Sequence, residues 1–338
     1  MARTFSWLPL VPLAAVAVAL ALPTPGLGTN TCTKVASPRG SDVLPGTPAQ
    51  PYRTAQKLAS SLRAGDVGCL RAGTYNGNVE LTNAGTGSAR ITLQSYPGER
   101  ARIVGELAVR GGADYTTVAN LDLNGRNPDN WPSPAVSATN VIFEGNDVTN
   151  DHTAVCFLLG TATRTRSVII RDNRIHNCGA LPATNRHVGI YVQHADDVEI
   201  LKNVIYDNAD MGIQLYTDAQ RTLIKGNVID GNGEGIIFSG DYGLVASNNL
   251  VEKNVITNSR IRNNVESHYA RGAQPGRGNL VLNNCIYGGA NDDGDGGVSR
   301  RRGFAMSGNL VADPQYVNRD AKDFRLAPGS PCAELVAY

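Results

Sequence analysis

Aromatic side chains make up only 6% of this 338-residue chain, with two Trp and six Phe among them. Such residues supply much of a large globular core, so their scarcity argues against one. Charge of a single sign is also missing: 31 Lys and Arg stand against 30 Asp and Glu, with no long run of either. That balance leaves no electrostatic footprint for nucleic acid or an anionic membrane surface. No CxxC occurs and none of the five His lies at zinc-ligand spacing, which removes the common structural zinc sites. The one long apolar stretch, Trp7 to Leu22, contains Pro9 and Pro12 and is too short for a comfortable bilayer span.

What the chain has instead is 37 Gly and 30 Asn. An Asn followed two residues later by Val or Ile recurs at Asn146, Asn173, Asn203, Asn227, Asn254 and Asn284, in steps of 27, 30, 24, 27 and 30. A second Asn column follows at Asn150, Asn177, Asn208, Asn232 and Asn258, and runs rich in β-branched residues lie between. A period of this size with strands and no helices is the signature of a stacked solenoid. Asn tolerates the left-handed backbone of a tight turn, and amides stacked at the strand spacing can form a continuous ladder. Alternation then predicts that Ile190, Val192, Ile213, Leu215, Ile236 and Phe238 fill the bore. Their neighbours Tyr191, Gln193, Gln214, Tyr216, Ile237 and Ser239 are expected to face out.

Arg3, the apolar stretch and the small-residue zone Pro23–Gly28 read as a signal peptide over residues 1–28, with release from the cell and an extracellular location. Residues 29–338 read as a single domain acting as a monomer: a cap over 50–65, coils over 66–312 and a closing segment over 313–338. In the cap, Ala55, Leu58, Ala59 and Leu62 fall at helical spacing. Strands are expected at 67–70, 79–81, 91–94, 102–104 and 117–123. Six cysteines in an oxidising compartment pair by default. Proximity and coil stacking favour Cys32 with Cys69, Cys156 with Cys178, and Cys285 with Cys332; only the second spacing, 22, fits a single circuit.

The segments Pro51-Tyr-Arg-Thr54, Ala72-Gly-Thr-Tyr75, Ser95-Tyr-Pro-Gly-Glu99, the repeated Asn-x-Ile coils and the closing Asp313-Pro314 with Gly329-Ser-Pro331 resemble secreted right-handed parallel β-helix proteins. Pectate lyases and the alginate and chondroitin lyases belong to that group, with many relatives of unknown activity. The resemblance runs from about residue 50 onward. It implies an all-β right-handed parallel β-helix with a short N-terminal capping helix. It also implies a polysaccharide groove on one outer face, where a base removes the proton α to a uronic carboxylate neutralised by calcium or by Arg or Lys. Architecture does not fix chemistry, so the reaction has to be read from the site.

The richest outward cluster begins at Arg186-His187. His187 is the expected base, Arg186 the cation that holds a carboxylate bidentately, and Tyr191 a proton donor to the leaving oxygen. Gln193, Gln214, Tyr216, Glu234, Asp241 and His268 extend it as a substrate-binding strip. Asp151-His152 lacks the Pro of the Asp-Pro-His run in alginate epimerases, and capping of a turn is the plainer role for Asp151. Glu234 with Asp241 or Glu266 is the one acid set that hydrolysis could use. Lys202, Lys225 and Lys253 form a basic column on another edge. Asn291, Asp293 and Asp295, with Gly296, match the first half of a calcium loop. Position 12 of that loop is Arg302, so the bidentate acid is missing and an acidic Gly-rich loop is the alternative. The sequence thus supports a secreted protein that binds an acidic polysaccharide and cleaves it by β-elimination, with calcium as the only cofactor in view. The alternative is a non-catalytic glycan-binding or surface-structural solenoid. Convergence of a base and a cation on one point of the groove discriminates the two.

Overall fold

A computed structural model of the chain describes residues 31–161, 163–299 and 302–336. The expected signal peptide lies outside the described residues. Among the described residues from Cys32 onward, short strands wind into three long sheets of eleven, ten and ten strands, all parallel except for the hairpin strand Leu244–Val245. Each coil visits the sheets in a fixed order. One circuit places Ile142–Glu144 in the first sheet, Asp147–Thr149 in the second and Phe157–Leu159 in the third. The next circuit lies directly above it, with Phe143 opposite Ile170, Val148 opposite Ile175 and Leu159 opposite Val192. This is a parallel β-helix.

Inward alternation fills the bore. Ile190, Val192, Ile213, Leu215, Ile236 and Phe238 are fully buried, as the alternating pattern predicts. Phe143 and Phe157 meet there edge to face at 5.0 Å. Two residues expected to face solvent, Ile237 and Ser239, are 2% and 5% exposed. Ile237 points away from the bore but packs with Val155, Val188 and Met211 in a second apolar cluster. The expected strand over 117–123 is broken in two, Thr116–Ala119 and Leu121–Asn124, where Asn120 takes a φ of +55°.

The six recurring Asn stack in file at the corner between the first and second sheets. The Asn146 amide donates to Asn173, Asn173 to Asn203 and Asn203 to Asn227, each at 3.0 Å. Asn227 to Asn254 and Asn254 to Asn284 follow at 2.9 Å, and Asn309 adds a seventh rung at 2.9 Å. The backbone N–H of each Asn from 146 to 284 bonds the same acceptor oxygen, so one side chain satisfies two donors of its neighbour. The left-handed residue is the one before the Asn: Asp172, Lys202, Lys253 and Asn283 have φ between +54° and +56°, and Gly145, Gly226 and Gly308 fill the other turns. The Asn is therefore selected for its amide, and its neighbour carries the backbone cost. The second column holds only from Asn208 to Asn232, at 2.8 Å. Asn177 bonds His152 and Asn258 bonds Asp230 instead. A short second ladder, Asn249 to Asn279 at 2.9 Å, was not visible as a repeat.

The helix Ala55–Ser61 follows the strand Lys34–Ala36, with Thr54 as its N-cap accepting from Lys57 N–H. Ala55, Leu58, Ala59 and Leu62 are buried, and Leu62 sits so close to Gly68 that a Cβ there would meet it at 2.8 Å. Beyond the last coil, Tyr316–Asn318 and Asp323–Leu326 form an antiparallel pair. This segment lays Phe324 against Tyr206 and Tyr316 on the outside of the second sheet. The disulfides are Cys32–Cys69, Cys156–Cys178 and Cys285–Cys332, the pairing that proximity favours. No helix among the described residues is long and apolar enough to cross a membrane.

Candidate functional site

The third sheet carries the longest strands, Ile190–Asp196, Met211–Gln220 and Glu234–Asp241. Its outward rows put Tyr191 beside Gln214, with Tyr216, Ser239 and His268 along the following positions. The rings of Tyr191 and Tyr216 stack at 6.1 Å with planes 21° apart. The strand Glu234–Asp241 continues through Tyr242 and Gly243, both at positive φ, into a hairpin that pairs Asp241 with Leu244. That turn brings the Asp241 carboxylate 3.4 Å from the Tyr216 hydroxyl.

The loop from Cys178 to Gly189 joins the second sheet to the third and forms the opposing wall. Cys156–Cys178 anchors its start. Asp210, buried at 3% exposure, anchors its end. Its carboxylate accepts the backbone N–H groups of Asn185, Arg186 and His187 at 2.8, 2.9 and 2.8 Å, with Thr184 at 3.4 Å. Four peptide donors on one buried carboxylate fix the loop's path. Arg186 is thereby held exposed at the wall of the cleft. Nothing in the sequence marks Asp210 for this role, because the acceptor lies one coil beyond the loop it organises.

Arg186, Tyr191, Gln214, Tyr216, Asp241 and His268 line one open cleft of about 460 Å³, together with Asn185, Ser239, Gly240 and Ala270. Burial pushes the Tyr191 phenol well above its ordinary range, with Tyr216 adding to the shift. Burial and the Asp241 carboxylate raise Tyr216 too. Both phenols therefore stay protonated at neutral pH and can donate. His268 is exposed on the third sheet. The cleft thus gathers a stacked aromatic floor, an amide, a cation, a carboxylate and an imidazole, the set that sugar recognition draws on.

Three sequence-selected residues do not join it. His187 is turned back onto its own loop, where Nδ1 accepts the Ala180 N–H at 3.1 Å; Arg186 and Tyr191 line the cleft without it. Gln193 falls at a bulge, where register shifts between Val192 and His194, and it is not part of the cleft lining. Glu234 is 3% exposed and bonded to Arg262. The Asp151-His152 pair occupies a turn with both residues at positive φ. Asp151 accepts the Asn124 amide at 2.8 Å, and His152 bonds Gly179 and Asn177.

The acidic loop is organised from within. Asp292, which a calcium loop would not use, accepts the N–H groups of Gly288, Gly294 and Gly296. Asp295 accepts those of Gly297 and Val298. Among the described residues no group of three His, Cys, Asp or Glu is gathered as a metal site. Lys225 of the basic column pairs with Glu252 at 2.6 Å. A larger recess of about 610 Å³ lies where the closing segment crosses the second sheet. Its apolar lining, Val204, Val228, Phe324 and Leu326, is the packing seam of that segment.

Residues 135–267 match the family described as right handed beta helix region. Among curated proteins, an uncharacterized protein YwoF of Bacillus subtilis is 35% identical over 81 residues, 24% of this chain and 17% of that protein. Pectate lyase PEL9 of Emericella nidulans is 40% identical over 72 residues, 21% of this chain and 18% of that enzyme. The match thus spans less than a fifth of either relative. Among solved structures, pectate lyase Pel9A superposes with a TM-score of 0.63 at 13% identity, over 90% of this chain and 92% of that one. The complex of XylC with xylose gives 0.60 at 14% identity, over 82% and 67%. At such identities the likeness establishes the fold, and the handedness with it.

Proposed function

The chain is a right-handed parallel β-helix protein similar to pectate lyases, and from that premise we propose that its third-sheet cleft binds an acidic polysaccharide and cleaves it by β-elimination. The observation that carries the proposal is the cleft itself, whose lining over four coils holds an exposed cation, a stacked pair of protonated phenols and an exposed imidazole. Arg186 is suited to a uronic carboxylate, whose neutralisation acidifies the α proton. His268 takes the role of base in place of His187, whose ring is engaged with the loop backbone. A protonated Tyr191 or Tyr216 can then deliver a proton to the leaving glycosidic oxygen. Gln214 and Asp241 are suited to sugar hydroxyls. An oxidising, extracellular site of action accords with the three disulfides.

The second reading, a non-catalytic glycan-binding solenoid, is favoured by the withdrawal of His187 from the cleft. Incubation with a panel of uronate polymers, with and without calcium, while following ultraviolet absorbance of the unsaturated product separates the two. Product with any polymer, lost in His268→Ala, supports elimination at this cleft. Binding without product in every case leaves the non-catalytic reading.

A further inference from the structure

Beneath the Arg186 loop lie two buried carboxyl groups that the proposed chemistry does not use. Glu234 is 3% and Glu266 1% exposed. Each has one carboxyl oxygen, Oε2 of Glu234 and Oε1 of Glu266, with no hydrogen-bond partner. The other oxygens are engaged: Glu234 Oε1 accepts from Arg262 and Glu266 Oε2 from the Asn263 amide. Arg262 Nη1 stands 3.9 Å from Glu266 Oε1, beyond hydrogen-bond reach. Among the described residues the further charge acting on Glu234 is Asp210, whose carboxylate accepts the loop amides. The Arg302 carbonyl accepts the Ser267 hydroxyl beside them.

One guanidinium cannot neutralise two buried carboxylates beside a third. Orphaned buried oxygens cost free energy, and two like charges in one dry site cannot both ionise freely. The same Arg262 also donates through Nη2 to Asn185 Oδ1, on the loop that bears Arg186. We infer that Glu234 and Glu266 hold one proton between them, and that this protonated pair, by leaving Arg262 free to grip Asn185, positions the Arg186 loop over the cleft. Removal of the proton adds a second negative charge, which draws the guanidinium toward Glu266 and off Asn185. Glu234, Glu266 and Arg262 are positioning residues on this account. The inference concerns the loop and stands whether or not the cleft binds glycan.

The direction with pH follows. Burial, then the Glu266 charge, pushes the Glu234 carboxyl up from 4.5 to about 7. A group raised in the closed state makes closing weaker as pH rises from its open-state value to its closed-state value, by about tenfold per pH unit for one proton, and flat beyond. Amide hydrogen exchange at Asn185, Arg186 and His187, corrected for the intrinsic base-catalysed rate, reads this opening in the intact protein. The expected result is protection that falls as pH rises toward about 7, then levels. In Glu266→Gln, which cannot take the second charge, that fall is lost. Protection independent of pH in the wild type overturns the inference, and so does a Glu266→Gln variant that titrates like the wild type. An infrared difference titration of wild-type protein with labelled Glu needs no variant. A carboxylic acid carbonyl persisting to near neutrality supports the shared proton, and its disappearance at ordinary carboxylate pH overturns it.

Discussion

Tyr191 and Tyr216 stand one coil apart on the third sheet, with rings 6.1 Å apart and nearly parallel. Stacked coils repeat at roughly 4.8 Å, so side chains on successive strands form a ladder of contacts along which an extended sugar chain can lie. Aromatic contacts of this kind contribute about 1 kcal/mol beyond area burial. Tyr216→Ala is expected to weaken glycan binding by roughly five- to tenfold. Tyr216→Phe keeps the ring and tests the hydroxyl separately. Titration of both variants checks this, and equal affinity in Tyr216→Ala removes the platform from the account.

The Asn ladder is a prediction about stability alone. Asn227 accepts from both the backbone N–H and the amide of Asn203 and donates to Ile200 and Asn254. In Asn227→Ala these buried groups lose their partners at about 1–3 kcal/mol each, so a loss of about 3 kcal/mol or more is expected. Denaturant midpoints measure it. A loss under about 1 kcal/mol contradicts the ladder as a structural support.

On the second sheet, His176 bonds Asp147 at 3.0 Å and stacks on Tyr206. Burial opposes charge on both partners, yet their hydrogen bond and attraction outweigh it. Asp147 falls below its ordinary 3.8, and His176 rises above its ordinary 6.5. The His contribution is full below 6.5 and lost as pH climbs through its raised value. The Asp contribution is present above 3.8 and lost as pH drops through its lowered value. Thermal midpoints should therefore show a component that is greatest between these two pH values and absent in Asp147→Asn. Identical pH profiles for the two proteins would sink this assignment.

Cys156–Cys178 ties down the start of the loop that carries Arg186. Replacing both cysteines by Ala is expected to cost about 2–4 kcal/mol. Glycan binding should weaken as well, because the loop then loses the covalent tie at its start and keeps only hydrogen bonds such as those of Asp210 and Arg262. Unchanged affinity in the double variant would show that the bridge has no part in shaping the cleft.

How much of this was legible in the sequence depends on whether a residue's partner lies at a fixed spacing. The ladder Asn recur at one coil, so periodicity exposes them, and alternation places Ile190, Val192, Ile213 and Leu215 in the bore. In the first Asn column the left-handed turn falls on the residue before the Asn, which repeats with it, whereas Asn177 and Asn258 of the second column take that backbone themselves. Tyr191, Gln214 and Tyr216 follow from the same alternation. His187 did not: its direction is set by loop hydrogen bonds to Ala180 and Asp210, which have no period. Glu234 and Ile237 look outward by alternation, but a second layer formed by loops covers them. The turn that Asp292 organises was hidden for a similar reason, because its carboxylate accepts the backbone N–H groups of Gly288, Gly294 and Gly296.

The central claim is that the third-sheet cleft recognises an acidic glycan through Arg186. Isothermal titration of the wild type and of Arg186→Ala with uronate oligosaccharides, beside neutral oligosaccharides of equal length, tests it most directly. The account predicts that the wild type prefers a uronate ligand and that Arg186→Ala loses about 1.5–3 kcal/mol of that binding, roughly ten- to hundredfold. Its affinity for neutral sugars should hardly change. Equal affinity of the two proteins for every uronate ligand, or no preference for uronate over neutral sugar in the wild type, would contradict it.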